Sequence, residues 1–213
     1  MKNRAVSHAA RLLVAGLAFG VAGGVAMGTE EAAYTVEKTD GDFQVRRYAP
    51  QVVAETVVDG TLEEAGNKAF RPLFNYISGA NRSQGKIAMT APVAQQRQGE
   101  KIAMTAPVGQ AALSNQWAVT FMMPTNYTIE TLPAPTDEKV RLRAIPARRM
   151  AAVRYSGAWS RPRYERNLAR LREWMKANGV AAAGDPVWAR YNPPFTPWFL
   201  RRNEILVPIE KRE

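Results

Sequence analysis

Phe43-Gln-Val-Arg-Arg-Tyr48, which leads to a glycine at Gly60, is echoed 97 residues further on by Val140-Arg-Leu-Arg-Ala-Ile145, which leads to Gly157. In this register the apolar positions and both terminal glycines stay in step. One inserted residue then brings Phe70, Leu73, Tyr76 and Ile77 over Leu168, Leu171, Trp174 and Met175. Each copy passes from alternating, strand-like spacing to helical spacing, so each half reads as strands, a helix, then more strands. Self-similarity at so long a period predicts two structural repeats sharing one core, about 34–125 and 138–210, rather than two independent domains.

Local signals agree with this outline. Tyr34-Thr-Val-Glu-Lys, Phe43 to Tyr48 and Val52-Val-Ala-Glu-Thr-Val-Val are β-rich and are separated by Asp40-Gly41-Asp42 and Pro50. Thr61 with Glu64 three residues later is a capping-box pattern, predicting a helix that runs to about Ser78 and stops at Gly79. The octapeptide Lys86-Ile-Ala-Met-Thr-Ala-Pro-Val93 recurs unchanged as Lys101 to Val108, and its alternation predicts two strands joined by a turn at Ala94 to Glu100, with Met89 and Met104 in the core. Trp117 to Met123 reads as a further strand. A second helix starts near Ser160, tolerates Pro162 in its first turn, and ends at Asn178-Gly179, before strands at Trp188 to Tyr191 and Glu204 to Ile209.

The first 28 residues stand apart. Lys2, Arg4 and Arg11 precede the apolar run Leu12 to Met27, and no acid occurs before Glu30. That is the layout of a secretory signal, with cleavage expected before Met27 or Thr29; the run is short of the roughly 20 residues of a membrane span. The expected location is therefore periplasmic or secreted, with an uncleaved anchor as the alternative. Residues 29–213 keep 26 Lys and Arg against 19 Asp and Glu, a charge of +7. Basic residues spread in pairs suit a solubilising surface, and an anionic membrane surface or acidic ligands stay open as partners. Nucleic acid does not fit an exported protein. The chain has no cysteine, so core packing alone must hold the domain in an oxidising compartment.

The two helices differ in their apolar faces. On a wheel of about 100° per residue, Leu62, Ala65, Ala69, Leu73 and Tyr76 form one stripe, and Phe70, Phe74 and Ile77 a second beside it. The second helix has only the narrower stripe Tyr164, Leu168, Leu171 and Met175. One stripe suffices to pack a helix on a sheet. The extra one is either covered by a loop or lines a ligand groove, and the groove reading gains from Asn67, Lys68 and Arg71, which could meet the acids of an amphipathic molecule.

The chain's only histidine is His8, so residues 29–213 contain neither His nor Cys. That excludes Ser-His triads, Cys-His pairs, the common zinc sites and imidazole-ligated haem. Glu55, Asp59, Glu63 and Glu64 cluster at a strand-helix junction, yet nothing in their spacing marks an acid-base pair. An enzyme is not expected.

The octapeptides, Phe121-Met-Met-Pro124, Phe70 to Asn81, Phe43 to Tyr48 and the late block Tyr191-Asn-Pro-Pro-Phe-Thr-Pro-Trp-Phe-Leu-Arg-Arg-Asn-Glu-Ile205 together resemble the SOUL haem-binding protein family. The resemblance runs from Tyr34 to Glu210. It implies an α+β fold, a distorted antiparallel β-barrel of two pseudo-symmetric strand-helix-strand halves flanked by two α-helices. It also implies haem or another tetrapyrrole bound on an apolar surface beside the first helix. By position, the family's pocket side chains fall on Phe70, Leu73 and Phe74, and its charged helix positions on Asn67 and Asn75. As those two are asparagines here, contact with propionates falls to Lys68, Arg71 or a late arginine such as Arg201. The resulting expectation is a monomer that binds haem with Phe70, Phe74 and Ile77 against the ring and no histidine ligand. A general hydrophobic-ligand or effector-binding module is the alternative, followed by a carboxylate-dependent hydrolase using Glu55 or Asp59.

Overall fold

The computed structural model describes residues 29–82 and 99–210. Its strands are β1 (Glu30–Glu31), β2 (Tyr34–Asp40), β3 (Phe43–Tyr48), β4 (Gln51–Asp59), β5 (Asn81–Arg82), β6 (Thr105–Ala106), β7 (Val108–Leu113), β8 (Gln116–Met122), β9 (Ala134–Pro135), β10 (Arg141–Ile145), β11 (Arg148–Ser156), β12 (Val187–Arg190) and β13 (Arg202–Pro208). The helices are α1 (Leu62–Ile77) and α2 (Arg161–Ala177). The duplication is visible in the element bounds: β3 and β4 map onto β10 and β11 at the offset read from the sequence, and Gly60 and Gly157 close the second strand of each pair at φ +128° and +127°. A side chain is strained at that φ, so both copies need glycine to turn from strand into helix.

Nine strands form one antiparallel sheet in the order β10-β4-β8-β7-β12-β13-β11-β3-β2, curled into a half-barrel whose edges β10 and β2 do not pair. The order is symmetric about the β7–β12 pair: β4-β8-β7 from the first half mirrors β11-β13-β12 from the second. The first strand of each duplicated pair is exchanged, since β3 pairs with β11 and β10 pairs with β4. Neither β3–β4 nor β10–β11 is a hairpin, although only Ala49-Pro50 and Pro146-Ala147 separate them. A two-residue hairpin turn requires positive φ, which proline cannot adopt, so each link carries the chain away to the other half.

Both helices cover the same face of the sheet. α1 lies on β4 and β8, and α2 on β11 and β13. The capping box of α1 is complete, with Thr61 Oγ1 accepting from the Glu64 amide and Glu64 Oε2 accepting from the Thr61 amide. Ser160 occupies the N-cap of α2 but its hydroxyl makes no capping bond; the Arg161 amide donates to Glu63 Oε1 at 2.6 Å instead, so the start of α1 caps α2. Leu73, Tyr76, Ile77, Val119 and Phe121 form the core under α1, and Leu168, Leu171, Trp174, Val153 and Ile205 the core under α2. A fully buried side chain of this size contributes about 1.5–3 kcal/mol. The other face of the sheet buries Tyr48, Met122, Met150, Ala152, Ala189 and Leu206.

The expected octapeptide hairpin is corrected in part. Its first copy, with Met89 and most of the turn, lies outside the described residues. The second is not a continuous strand: Lys101–Met104 has no ladder, only Thr105–Ala106 pairs, with β1, and β7 begins after Pro107. Ile102 is buried and its amide donates to the Ile77 carbonyl at 2.7 Å, but Met104 is exposed rather than in the core. The segment packs against the end of α1, so strand alternation does not govern which side chains turn inward.

Candidate functional site

The two sides of α1 have different neighbours. Gly66, Phe70 and Phe74, spaced four apart, form one row on the flank that faces β7, β12 and α2. Phe70 and Phe74 stack with ring centroids 5.5 Å apart and planes at 14°, and Phe70 sets its edge against Phe121 at 5.6 Å. They remain 39% and 42% exposed, whereas Leu168, the counterpart of Phe70 on α2, is 8% exposed. The duplicated position has thus been turned from core into an open aromatic wall. Leu73 and Ile77, expected beside these rings, are both buried in the core, so Leu73 cannot present a surface and Ile77 does not belong to the second stripe. The wheel places Ile77 near Phe70, but at the last turn the Ile102 segment closes over it.

At the N-terminal end of the same row lies Arg190, on β12 and 7% exposed. A Cβ on Gly66 would stand 1.9 Å from its Nη2, so the helix needs a glycine to let the guanidinium in. Nη2 donates to Gln110 Oε1 at 3.2 Å, and Gln110 Nε2 in turn donates to the Leu62 carbonyl at 2.7 Å. The guanidinium lies 5.1 Å from the ring centroid of Trp159 and 5.2 Å from that of Trp188. Among the described residues no carboxylate pairs with it. Burial draws its pKa down to about 10, opposed by Tyr155, and leaves it a cation at neutral pH.

The other expected cations are dispersed. Lys68, Arg71 and Asn75 line a polar cavity of about 630 Å³ on the opposite flank, with Thr56–Asp59, Asp137 and Lys139. Lys68 Nζ is held by Glu64 Oε2 and the Asp59 carbonyl, both at 3.3 Å, so it does not reach the phenylalanines. Arg71 rides the crest of the helix, and Asn67 falls beside Phe74 on the wheel. Arg201 spends Nε and Nη2 on the carbonyls of Thr196 and Pro194, holding a loop whose Phe195, Trp198, Phe199 and Leu200 are exposed; its guanidinium stacks over Trp159 at 4.3 Å. Arg201 and Arg190 thus share one tryptophan. An apolar cavity of about 490 Å³ opens elsewhere, between Pro50, Val52, Met122, Pro124, Tyr127 and Ile145, and no Lys or Arg lines it.

The four carboxylates at the strand-helix junction all have structural partners. Glu55 pairs with Arg143 at 2.6 Å, Asp59 accepts from Gln116 at 3.0 Å, Glu63 caps α2 and Glu64 caps α1.

Two features escaped sequence reasoning. One is Arg190. The other is a buried network on the far face of the sheet, where Glu204 is wholly buried between Arg46, at 2.6 Å, and Arg202, at 3.0 Å, and accepts from Tyr191 Oη at 2.8 Å. Burial pushes the Glu204 carboxyl up, but Arg46 and Arg202 overcome it and hold it below the ordinary carboxylate range. The signal available in the sequence was charge at inward positions of apolar strands, Arg46 in β3, Arg190 in β12 and Glu204 in β13.

The model of the SOUL heme-binding protein family matches residues 29–98 and 94–208, which together span both halves of the duplication. Heme-binding protein 1 of Mus musculus is 25% identical over 179 residues, covering 84% of this chain and 85% of the mouse protein. Among solved structures, the crystal structure of the EcmrR C-terminal domain superposes with a TM-score of 0.56 at 14% identity, covering 84% of this chain and 99% of that one. A crystal structure described as a hydrolase from Listeria innocua gives 0.53 at 13% identity, over 79% and 92% of the two chains. At these identities the two likenesses concern the fold alone. With the family model matched across residues 29–208 and the duplicated half-barrel in place, this chain belongs to the SOUL heme-binding protein family.

Proposed function

We propose that the protein binds haem, or a related tetrapyrrole, flat against Phe70 and Phe74 on the flank of α1 that faces α2, and that it does so outside the cytoplasm without catalysing a reaction. The observation that carries this reading is the stacked, half-exposed pair of rings, of which Phe70 stands where the other half of the duplication buries Leu168. Covering such a wall with an aromatic macrocycle removes apolar surface from water on both partners, worth several kcal/mol at about 25 cal/mol per Å². The competing apolar cavity near Tyr127 has no cation for propionates, and the polar cavity beside Lys68 has no aromatic face. Arg190 at one end of the wall supplies positive charge where an acid would lie, whereas Arg71 lines the polar cavity on the opposite flank. Iron would be held without imidazole, because no histidine follows His8. The grip therefore falls on the face and the acids of the ring.

Titration of the full-length protein with haemin and with metal-free protoporphyrin, followed by the Soret band and tryptophan fluorescence, tests this. Similar affinities for the two are expected. Phe70→Glu, which puts a charge on the wall, should weaken both by at least tenfold; a Phe70→Glu protein that still shifts the Soret band with unchanged affinity would remove the site.

A further inference from the structure

We propose that Arg190 is a carboxylate receptor, built into the floor beside α1 to take the acid group of an amphipathic ligand whose apolar body lies along Phe70 and Phe74. The inference rests on the aromatic wall assigned above and names the group that orients the ligand on it.

Buried charges in folded proteins are paired, because an isolated ion loses its hydration with nothing in return. Two arginines are buried here. Arg46 obeys the rule through Glu204, whereas Arg190 has no acid among the described residues. A guanidinium carries five N–H donors, and Arg190 engages one of its nitrogens, Nη2, while Nε and Nη1 have no acceptor among the described residues. Its surroundings are arranged to hold it rather than to neutralise it. Gly66 leaves room for it, Gln110 orients Nη2, and the rings of Trp159 and Trp188 support the cation without consuming its hydrogen bonds. A mid-helix glycine and an unpaired buried cation are both unfavourable for the empty fold, and they meet at one point.

That point is the end of the aromatic row. With a rise of about 1.5 Å per residue, Phe70 follows Gly66 by about 6 Å along the helix and Phe74 by about 12 Å. A molecule lying on the two rings thus brings a carboxylate carried on a short arm to Arg190, where a planar guanidinium can take both oxygens. The neutral, apolar walls favour a carboxylate on a hydrophobic body over a small, strongly hydrated anion.

The test compares acids with their esters. Full-length wild type, Arg190→Met and Arg190→Lys are titrated with haemin and haemin dimethyl ester, and with cis-parinaric acid and its methyl ester, while thermal melting is followed for each protein. Wild type should prefer each acid to its ester. Arg190→Met should bind haemin at least tenfold more weakly, bind the diester unchanged, and melt no lower than wild type. Arg190→Lys should fall between. If wild type binds haemin and its diester alike, or Arg190→Met keeps the preference for acids, the receptor role is overturned and haem binding stands. If wild type ignores haemin but holds parinaric acid in an Arg190-dependent way, the receptor role stands and the tetrapyrrole reading falls. An Arg190→Met protein that melts lower and loses acid and ester equally would make Arg190 a structural cation and overturn the proposal, as would a wild type that binds none of the four.

Discussion

Arg46 and Arg190 occupy opposite faces of one sheet and are both buried, yet Arg46 meets Glu204 at 2.6 Å while Arg190 meets an amide oxygen and two indole rings. The face without helices spends its charges on itself: Arg46, Glu204 and Arg202 tie β3 to β13 across β11. The face beneath the helices leaves its cation unneutralised beside two open phenylalanines. The contrast separates what keeps the fold together from what the fold holds ready for another molecule.

The same substitution on the two faces should break the symmetry most strongly. Arg46→Met leaves Glu204 buried with only Arg202, and should cost about 3 kcal/mol of stability. Arg190→Met removes a buried cation that lacks an acid, and should be neutral or stabilising in the same chemical denaturation experiment. Equal losses would show that the two arginines are structurally alike. Acid titration sharpens the point. The Glu204 carboxyl is held below its ordinary value of 4.5, so its stabilisation is fully present above that pH and is lost as the pH falls through the lower folded-state value. Wild type should therefore lose melting temperature below about pH 4.5, and Glu204→Gln, already less stable at neutral pH, should show a flatter dependence; parallel curves would take Glu204 out of the network.

The smallest effect concerns Gly66. Glycine in a helix interior costs about 0.5–1 kcal/mol relative to alanine, but here a Cβ would collide with Nη2 of Arg190. Gly66→Ala should stabilise by up to about 1 kcal/mol in an Arg190→Ala background and should fail to do so in wild type, a coupling that a double-mutant cycle reads directly. Additive effects would mean that the glycine is there for another reason.

Much of the fold was legible because it is written locally. Thr61 and Glu64, Gly60 and Gly157, and Asn178-Gly179 act through their own backbone neighbours, and the element bounds followed from them. The octapeptide misled because alternation implies a strand only where a neighbour supplies a ladder, and Lys101–Met104 has none. The candidate site was half legible. Phe70 and Phe74 stood out as surplus apolar residues, and the wheel already sets Lys68 and Asn75 apart from both rings, but it could not show that Ile77 is closed over by Ile102 or which strands each flank meets.

The sequence by itself determined two strand-helix repeats, the places where each helix begins and ends, the absence of histidine and cysteine chemistry from residues 29–213, and an α1 with more apolar surface than one sheet contact uses. Only the tertiary structure decided that β3 and β10 exchange between the halves, that Glu204 lies between Arg46 and Arg202, and that Arg190 meets Gly66 at the foot of the aromatic row. Hydrophobic period and capping are encoded within a few residues of chain. The company a buried charge keeps depends on strand pairing between distant segments, and no local pattern records it.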